Sequence, residues 1–167
     1  MSTVLSALPF HMLWSKQGKG RYELRSGTAL FGSVQRRGWC AREFSADSSS
    51  GNWIIRRVGL GLRTEIYQAG GEGPIASFKP GWSSGGLLKF ADGQTFRLSA
   101  RGFLRPIWAV STEDGHLILA VDHRGKSVTV RATENLEPQR LALLALFTWC
   151  RILQASEDAA VVAFVSS

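Results

Sequence analysis

Residues 136–154 read LEPQRLALLALFTWCRILQ, and what covers this stretch decides what the rest of the chain must be. Asn135 predicts an N-cap, and Glu137 and Pro138 suit a first turn, where a missing N–H costs nothing and negative charge meets the helix dipole. Placed at helical intervals, Leu141, Leu143, Leu144, Leu146, Phe147, Trp149, Cys150, Ile152 and Leu153 take up nearly the whole circumference, while Arg140, Thr148 and Arg151 share one narrow stripe. A surface helix shows water a wide polar face, whereas a helix apolar nearly all round is enclosed nearly all round. The run 141–153 is interrupted by Thr148 and Arg151 and falls well short of the roughly 20 residues that cross a membrane. Protein, not bilayer, is expected to enclose it.

The preceding chain supplies the enclosure. From Tyr22 to Thr133 it reads as short strands separated by regular turn signals, the pattern of a sandwich or barrel. In 94–101, Phe96, Leu98 and Ala100 alternate with Thr95, Arg97, Ser99 and Arg101, so the two sets face opposite sides of a strand. Leu117, Leu119 and Val121 repeat the pattern, as do Val128 with Val130 and Tyr22 with Leu24. Further strands are predicted at 28–36, 39–46, 53–58, 64–68, 75–79, 87–91 and 107–112, with one more near the N-terminus. Asp92-Gly93 and Asp114-Gly115 lie between apolar runs and predict type I′ hairpins. Gly70-Gly71, Gly85-Gly86 and the loop 48–52 act similarly. Tight turns make neighbouring strands antiparallel, and without a helical period between them a βαβ fold is excluded. The expected fold is all-β with one helix: a closed antiparallel barrel around a buried hydrophobic C-terminal helix at 136–154.

The 167 residues fit one domain, 1–167, with its core at about 20–155 and peripheral segments at 1–19 and 156–167. Fifteen arginines and five lysines against 13 acidic residues give a net charge of +7. Cys40 and Cys150 are too few for a disulfide framework. The N-terminal stretch has no basic region ahead of an apolar core, so a secretory signal is not expected. A cytoplasmic chain, at most peripheral to a membrane, is the expectation.

Four stretches carry a resemblance to a known family: YELRSGTALFGSVQRRG (22–38), GNWIIRRVGLGLRTEIYQAGGEGPIASFKPGW (51–82), LLKFADGQTFRLSAR (87–101) and LALLALFTWCRIL (141–153). Over most of its length the chain resembles the tubby C-terminal-like superfamily, which includes the plant LURP-one-related proteins and the phospholipid scramblases. The resemblance implies a barrel of about 12 strands around the helix. Tubby-type domains bind phosphoinositides through basic side chains on the barrel, and scramblases are described as calcium-dependent lipid movers. This sequence has no acidic calcium loop, no cysteine-rich palmitoylation segment and no proline-rich N-terminal region. The resemblance therefore implies an anion-binding barrel surface and assigns no position to it.

Chemistry-bearing motifs are few. Gly81-Trp82-Ser83-Ser84-Gly85 has the letters of a nucleophile elbow, but that elbow needs a strand before it and a helix after it, and here a strand and hairpin follow. His11, His116 and His123 have no metal-ligand spacing with one another or with the cysteines, and His116 and His123 read as solvated. Gly59-Leu60-Gly61 and Gly70-Gly71-Glu72-Gly73 precede strands, so no helix N-terminus faces a phosphate there. No catalytic residue, metal or cofactor is expected. The tryptophans Trp14, Trp39, Trp53, Trp82, Trp108 and Trp149 read as core packing.

The basic side chains are the remaining candidates. Arg36 and Arg37, with Arg42, and Arg56 and Arg57, with Arg63, flank neighbouring hairpins; Arg101 and Arg105 flank another, and Arg124 and Lys126 share a turn. Arginine's planar fork of donors suits phosphate. Arg36, Arg37, Arg56 and Arg57 are the expected ligands of an anionic headgroup, with one of each pair taking part because consecutive strand residues face opposite sides. Basic runs never exceed two residues, so nucleic acid is not expected as a partner. The expected function is non-enzymatic recognition of anionic phospholipid headgroups; the alternative is a structural or regulatory domain whose partner is a protein.

Overall fold

The computed structural model describes residues 10–38, 42–60, 63–81, 85–102, 106–124, 126–131 and 136–166. Twelve strands precede one helix: β1 (Phe10–Gly18), β2 (Arg21–Ser26), β3 (Ala29–Arg37), β4 (Glu43–Ser48), β5 (Gly51–Val58), β6 (Arg63–Gln68), β7 (Pro74–Pro80), β8 (Gly86–Phe90), β9 (Thr95–Arg101), β10 (Ile107–Thr112), β11 (Leu117–Asp122), β12 (Ser127–Val130) and α1 (Pro138–Val165). Every strand pairs antiparallel with its neighbours in sequence, and β1 closes the ring against β12, Met12 facing Val128. Closure leaves no edge strand. The wall starts at Phe10, ahead of the expected core boundary near residue 20, and Met12 and Trp14 of β1 are fully buried.

Inside and outside follow the period of two. Phe96 and Leu98 are buried while Arg97 is exposed, and Leu24, Val34, Phe44, Ile55, Ile66 and Phe78 line the lumen from successive strands. The register shifts where Val110 faces Leu119 and Ser111 faces Leu117. That bulge leaves Ile118 extra and turns two consecutive side chains, Ile118 and Leu119, into the core.

The hairpin turns differ from the expected type I′. Gly93 and Gly115 adopt φ of +93° and +91°, whereas neither Asp92 nor Asp114 has positive φ. Gly93 N–H donates to the Phe90 carbonyl and Gly115 N–H to that of Thr112. These are type I turns followed by a left-handed glycine, which fit three-residue loops and ask positive φ of glycine alone.

Helix α1 fills the lumen. Ala142 to Ile152 and Gln154 are buried along it. Trp149 stacks on Trp14 with centroids 4.9 Å apart, and Phe147 meets the edge of Phe78 at 5.3 Å. At Gly32 of β3 a Cβ would lie 3.0 Å from both Leu146 Cδ2 and the Asp47 carbonyl oxygen, so wall and helix approach there only because the side chain is missing. No helix is long and apolar enough to cross a membrane among the described residues.

The helix differs from expectation at its start and is longer than the expected buried span. Asn135 lies outside the described residues, and the N-cap position is held by Glu137 with no side-chain cap bond. At the other end α1 runs on past the expected 136–154 to Val165, so that 159–165 extends the helix, one of the two states, strand or helix, that the sequence leaves open for 159–167. Residues 155–165 hold four alanines and neither glycine nor proline, so local propensity carries the helix on after the wall ends.

Candidate functional site

The helix enters through one rim, called near, and leaves through the other, called far. At the near rim Arg140 bonds Asp92 at 2.8 Å, also reaches Gln94, and lies over the Phe90 ring at 4.0 Å. At the far rim Glu157 pairs with Arg36 at 3.1 Å, and Asp158 accepts two bonds from Arg57 at 3.0 and 2.6 Å.

The rims differ in charge. Counting the described turn residues and the two strand residues flanking each turn, the far rim carries Lys19, Arg21, Arg36, Arg37, Arg42, Arg57, Arg63, Lys79, Arg101, Arg124 and Lys126 against Glu43 and Asp122. The near rim carries Arg25, Lys89 and Arg131 against Asp47, Glu72, Asp92, Glu113, Asp114 and Glu137. Arg105, part of the expected basic set, lies outside the described residues, as do Trp39, Cys40 and the Trp82–Ser84 centre of the glycine-serine motif.

All four expected arginines lie toward the far rim, Arg56 one residue further into β5 than the count above takes, and alternation sorts them. Glu43 of β4 sits between Arg37 of β3 and Arg56 of β5 in the register. It takes both on the outer face, Arg56 at 2.8 Å and Arg37 at 3.5 Å. Arg36 and Arg57 turn to the mouth and meet the helix carboxylates. Each of the four therefore has a carboxylate of its own chain beside it.

Below Arg57 lies Arg151, 6% exposed. It bonds Gln154 at 2.7 Å and sits over Phe78 at 4.8 Å. Burial, and then the charge of Arg57, pull its pKa down to about 10. The Arg57 bonds hold the Asp158 carboxyl below its ordinary value. The Arg151 Nε and Gln154 Nε2 atoms have no partner.

A cleft of about 560 Å³ opens at the far rim between Lys16, Lys19, Gly20, Tyr22, Arg36 and Gly38. Lys16 faces Tyr22 across β1 and β2, and Tyr22 faces Val34, two residues before Arg36. Period two thus brings Lys16, Tyr22 and Arg36 to the lumen side of adjacent strands. Tyr22 rests edge-on against Trp149 at 5.7 Å, so the floor of the cleft is the last aromatic layer of the core. Gly20, at φ +72°, lets the β1–β2 turn lie against Arg36, whose N–H donates to the Gly20 carbonyl at 2.7 Å. Lys16 and Lys19 make no ion pair among the described residues. Two ammonium groups and one guanidinium thus border one concavity, the kind of donor set that suits a phosphate-sized anion.

No family model, curated protein or solved structure matches this chain. The site is therefore assigned from its own geometry. The sequence expectation missed Lys16 and Lys19 because 1–19 was set outside the core. The usable signal was Met12 and Trp14 at alternate positions before Lys16, masked by the apolar Leu13, which points outward at 59% exposure.

The remaining candidates resolve simply. His116 is exposed, but His123 is half-buried against Trp149, with centroids 6.0 Å apart, instead of solvated. Burial lowers its pKa. Trp14, Trp53, Trp108 and Trp149 are buried. Among the described residues no three His, Cys, Asp or Glu side chains come together as a metal site.

Proposed function

We propose that the chain is a non-enzymatic domain that docks on anionic phospholipid headgroups through its far rim, at the periphery of a membrane in the cytoplasm. The Lys16–Lys19–Arg36 cleft receives a headgroup phosphate. The polarity of the barrel carries this reading: the described turns and strand ends hold eleven cations against two carboxylates at the far rim and three against six at the near rim, while the helix adds Glu157 and Asp158 to the far rim and Arg140 to the near one. Such asymmetry orients a protein on a negative surface before any contact forms. The twelve-strand wall and threaded helix support it too, being what the resemblance to tubby C-terminal-like proteins implies. Arg37 and Arg56 share one carboxylate and add a long-range field; Arg36 borders the cleft and contributes directly.

Co-sedimentation with neutral and phosphatidylserine-containing vesicles tests the proposal. Each cation near an anionic leaflet contributes about 1 kcal/mol, so Lys16→Ser/Lys19→Ser/Arg36→Ser weakens binding by about a hundred-fold. Binding falls steeply at a few hundred millimolar salt, where the Debye length shrinks to about 6 Å or less. Equal sedimentation with both vesicle types, or a triple variant that binds like wild type, overturns the proposal and leaves a protein partner as the alternative.

A further inference from the structure

Residues 159–165 read AAVVAFV and form the last turns of α1 beyond the Glu157 and Asp158 contacts with the rim. The segment has no charged residue and no polar side chain on any side, yet every residue in it is exposed. Val161, Val162 and Val165 are 58, 65 and 78% exposed. The rule that placed 142–154 inside the barrel applies equally here: a helix apolar all round is covered all round. Among the described residues it keeps this exposure, with no strand of the wall around it.

We infer that this segment inserts into the headgroup–acyl boundary of an anionic bilayer, as the apolar counterpart of the rim that surrounds it; the inference rests on the membrane-docking reading. Charge selects the occupant. The base of the segment is ringed by the cationic rim, complementary to an anionic leaflet. A second copy meeting through the same end brings two such rims face to face, a like-charge contact that is strongly disfavoured. Length agrees as well. Seven residues beyond Asp158, at about 1.5 Å each, reach about 10 Å past the rim, the depth at which interfacial helices bury their apolar faces. Leu60, Leu87 and Ile107, at 97, 45 and 48% exposure, also lie toward this end of the barrel, and Leu13 and Leu30, at 59 and 51%, lie toward the other.

The test uses the full chain carrying Cys40→Ser and Val162→Cys, labelled at the new thiol with an environment-sensitive nitrobenzoxadiazole dye, since Cys150 is fully buried. With phosphatidylserine vesicles the emission is expected to rise several-fold and shift to the blue, and lipids brominated high on the acyl chain are expected to quench it. In parallel, Val161→Ser/Val162→Ser/Val165→Ser is expected to weaken sedimentation at least ten-fold with an unchanged melting curve. Sedimentation of wild type with a silent dye, and a triple variant that binds as wild type, overturns the insertion while the headgroup reading stands. No sedimentation at all overturns both. A dye response that follows protein concentration without vesicles assigns the segment to a second copy and overturns the insertion.

Discussion

The two apolar stretches of α1 have the same composition rule and opposite surroundings. From Ala142 to Gln154 the helix is wrapped by twelve strands; from Ala159 to Val165 every residue meets solvent. Between them stand Glu157 and Asp158, tied to Arg36 and Arg57. The difference is one of supply. The inner stretch is the core of the domain, and its burial is settled by folding. The outer stretch has the same demand for cover and no wall to meet it among the described residues, and the proposed docking on a bilayer would supply that cover.

A charge placed in each stretch separates them most sharply. Leu144→Asp or Phe147→Asp puts a carboxylate among side chains that are 1% exposed. The cost is several kcal/mol, comparable with the whole stability of a domain, and the expected outcome is loss of soluble folded protein. Val162→Asp is expected to leave the melting temperature within the scatter of surface substitutions, about 0.5 kcal/mol. Circular dichroism melts of the three variants check this; equal losses erase the distinction between the stretches.

A subtler lesion at the inner stretch is Gly32→Ala. The new Cβ lies 3.0 Å from Leu146 and from a backbone oxygen, so the helix must shift in a packed lumen. Overpacking of this kind costs about 1–3 kcal/mol. Denaturant titration reads it as a lower midpoint with an unchanged slope, and a neutral result shows that the helix slides freely.

The inner stretch was legible because its signal is circumferential: nine apolar residues around one helix leave a closed wall as the simplest cover. The strand turns were legible because Asp-Gly pairs interrupt alternating runs, although their type was not, since only the glycine takes positive φ. The far rim was legible in part. Period two correctly separated Arg36 from Arg37 and Arg56 from Arg57, but it says nothing of partners far along the chain. Glu43 lies on the intervening strand, and Glu157 and Asp158 are more than a hundred residues from their arginines; only the threading of α1 brings them to the mouth. The length of α1 was hidden for a related reason. Its signal was sought in enclosure, and enclosure stops at Gln154 while helix propensity does not.

Arg151 marks the boundary from the inside. It is buried with no carboxylate at ion-pair distance among the described residues, and burial drags its pKa down. Replacing such a cation with an apolar side chain of similar length is often neutral or stabilising, by about 1–4 kcal/mol. Arg151→Met is therefore expected to melt no lower than wild type. A clear loss of stability shows that the Gln154 bond and the Phe78 contact outweigh the burial of charge.

The smallest effect on stability, and the most informative about function, comes from the carboxylates at the boundary itself. Glu157→Gln with Asp158→Asn removes two exposed or half-exposed pairs, each contributing about 0.2–1 kcal/mol, so the melt changes little. The Asp158 share has a definite pH dependence. Its folded pKa lies below the ordinary 3.8 because Arg57 bonds the carboxylate, so the stabilisation is complete above that value and is lost as pH falls through the folded pKa. The stability gap between wild type and variant should accordingly close in acid and stay constant near neutrality. Binding moves the other way. The two carboxylates precede the 159–165 segment and pair with Arg36, which borders the cleft, and with Arg57 beside it on the rim. Their removal adds about 2 kcal/mol of attraction to an anionic leaflet, roughly a thirty-fold gain in vesicle affinity. Sedimentation at fixed salt reads that gain. A fall in affinity instead would mean that the ion pairs hold α1 upright for insertion, and that their geometry matters more than the charge they mask.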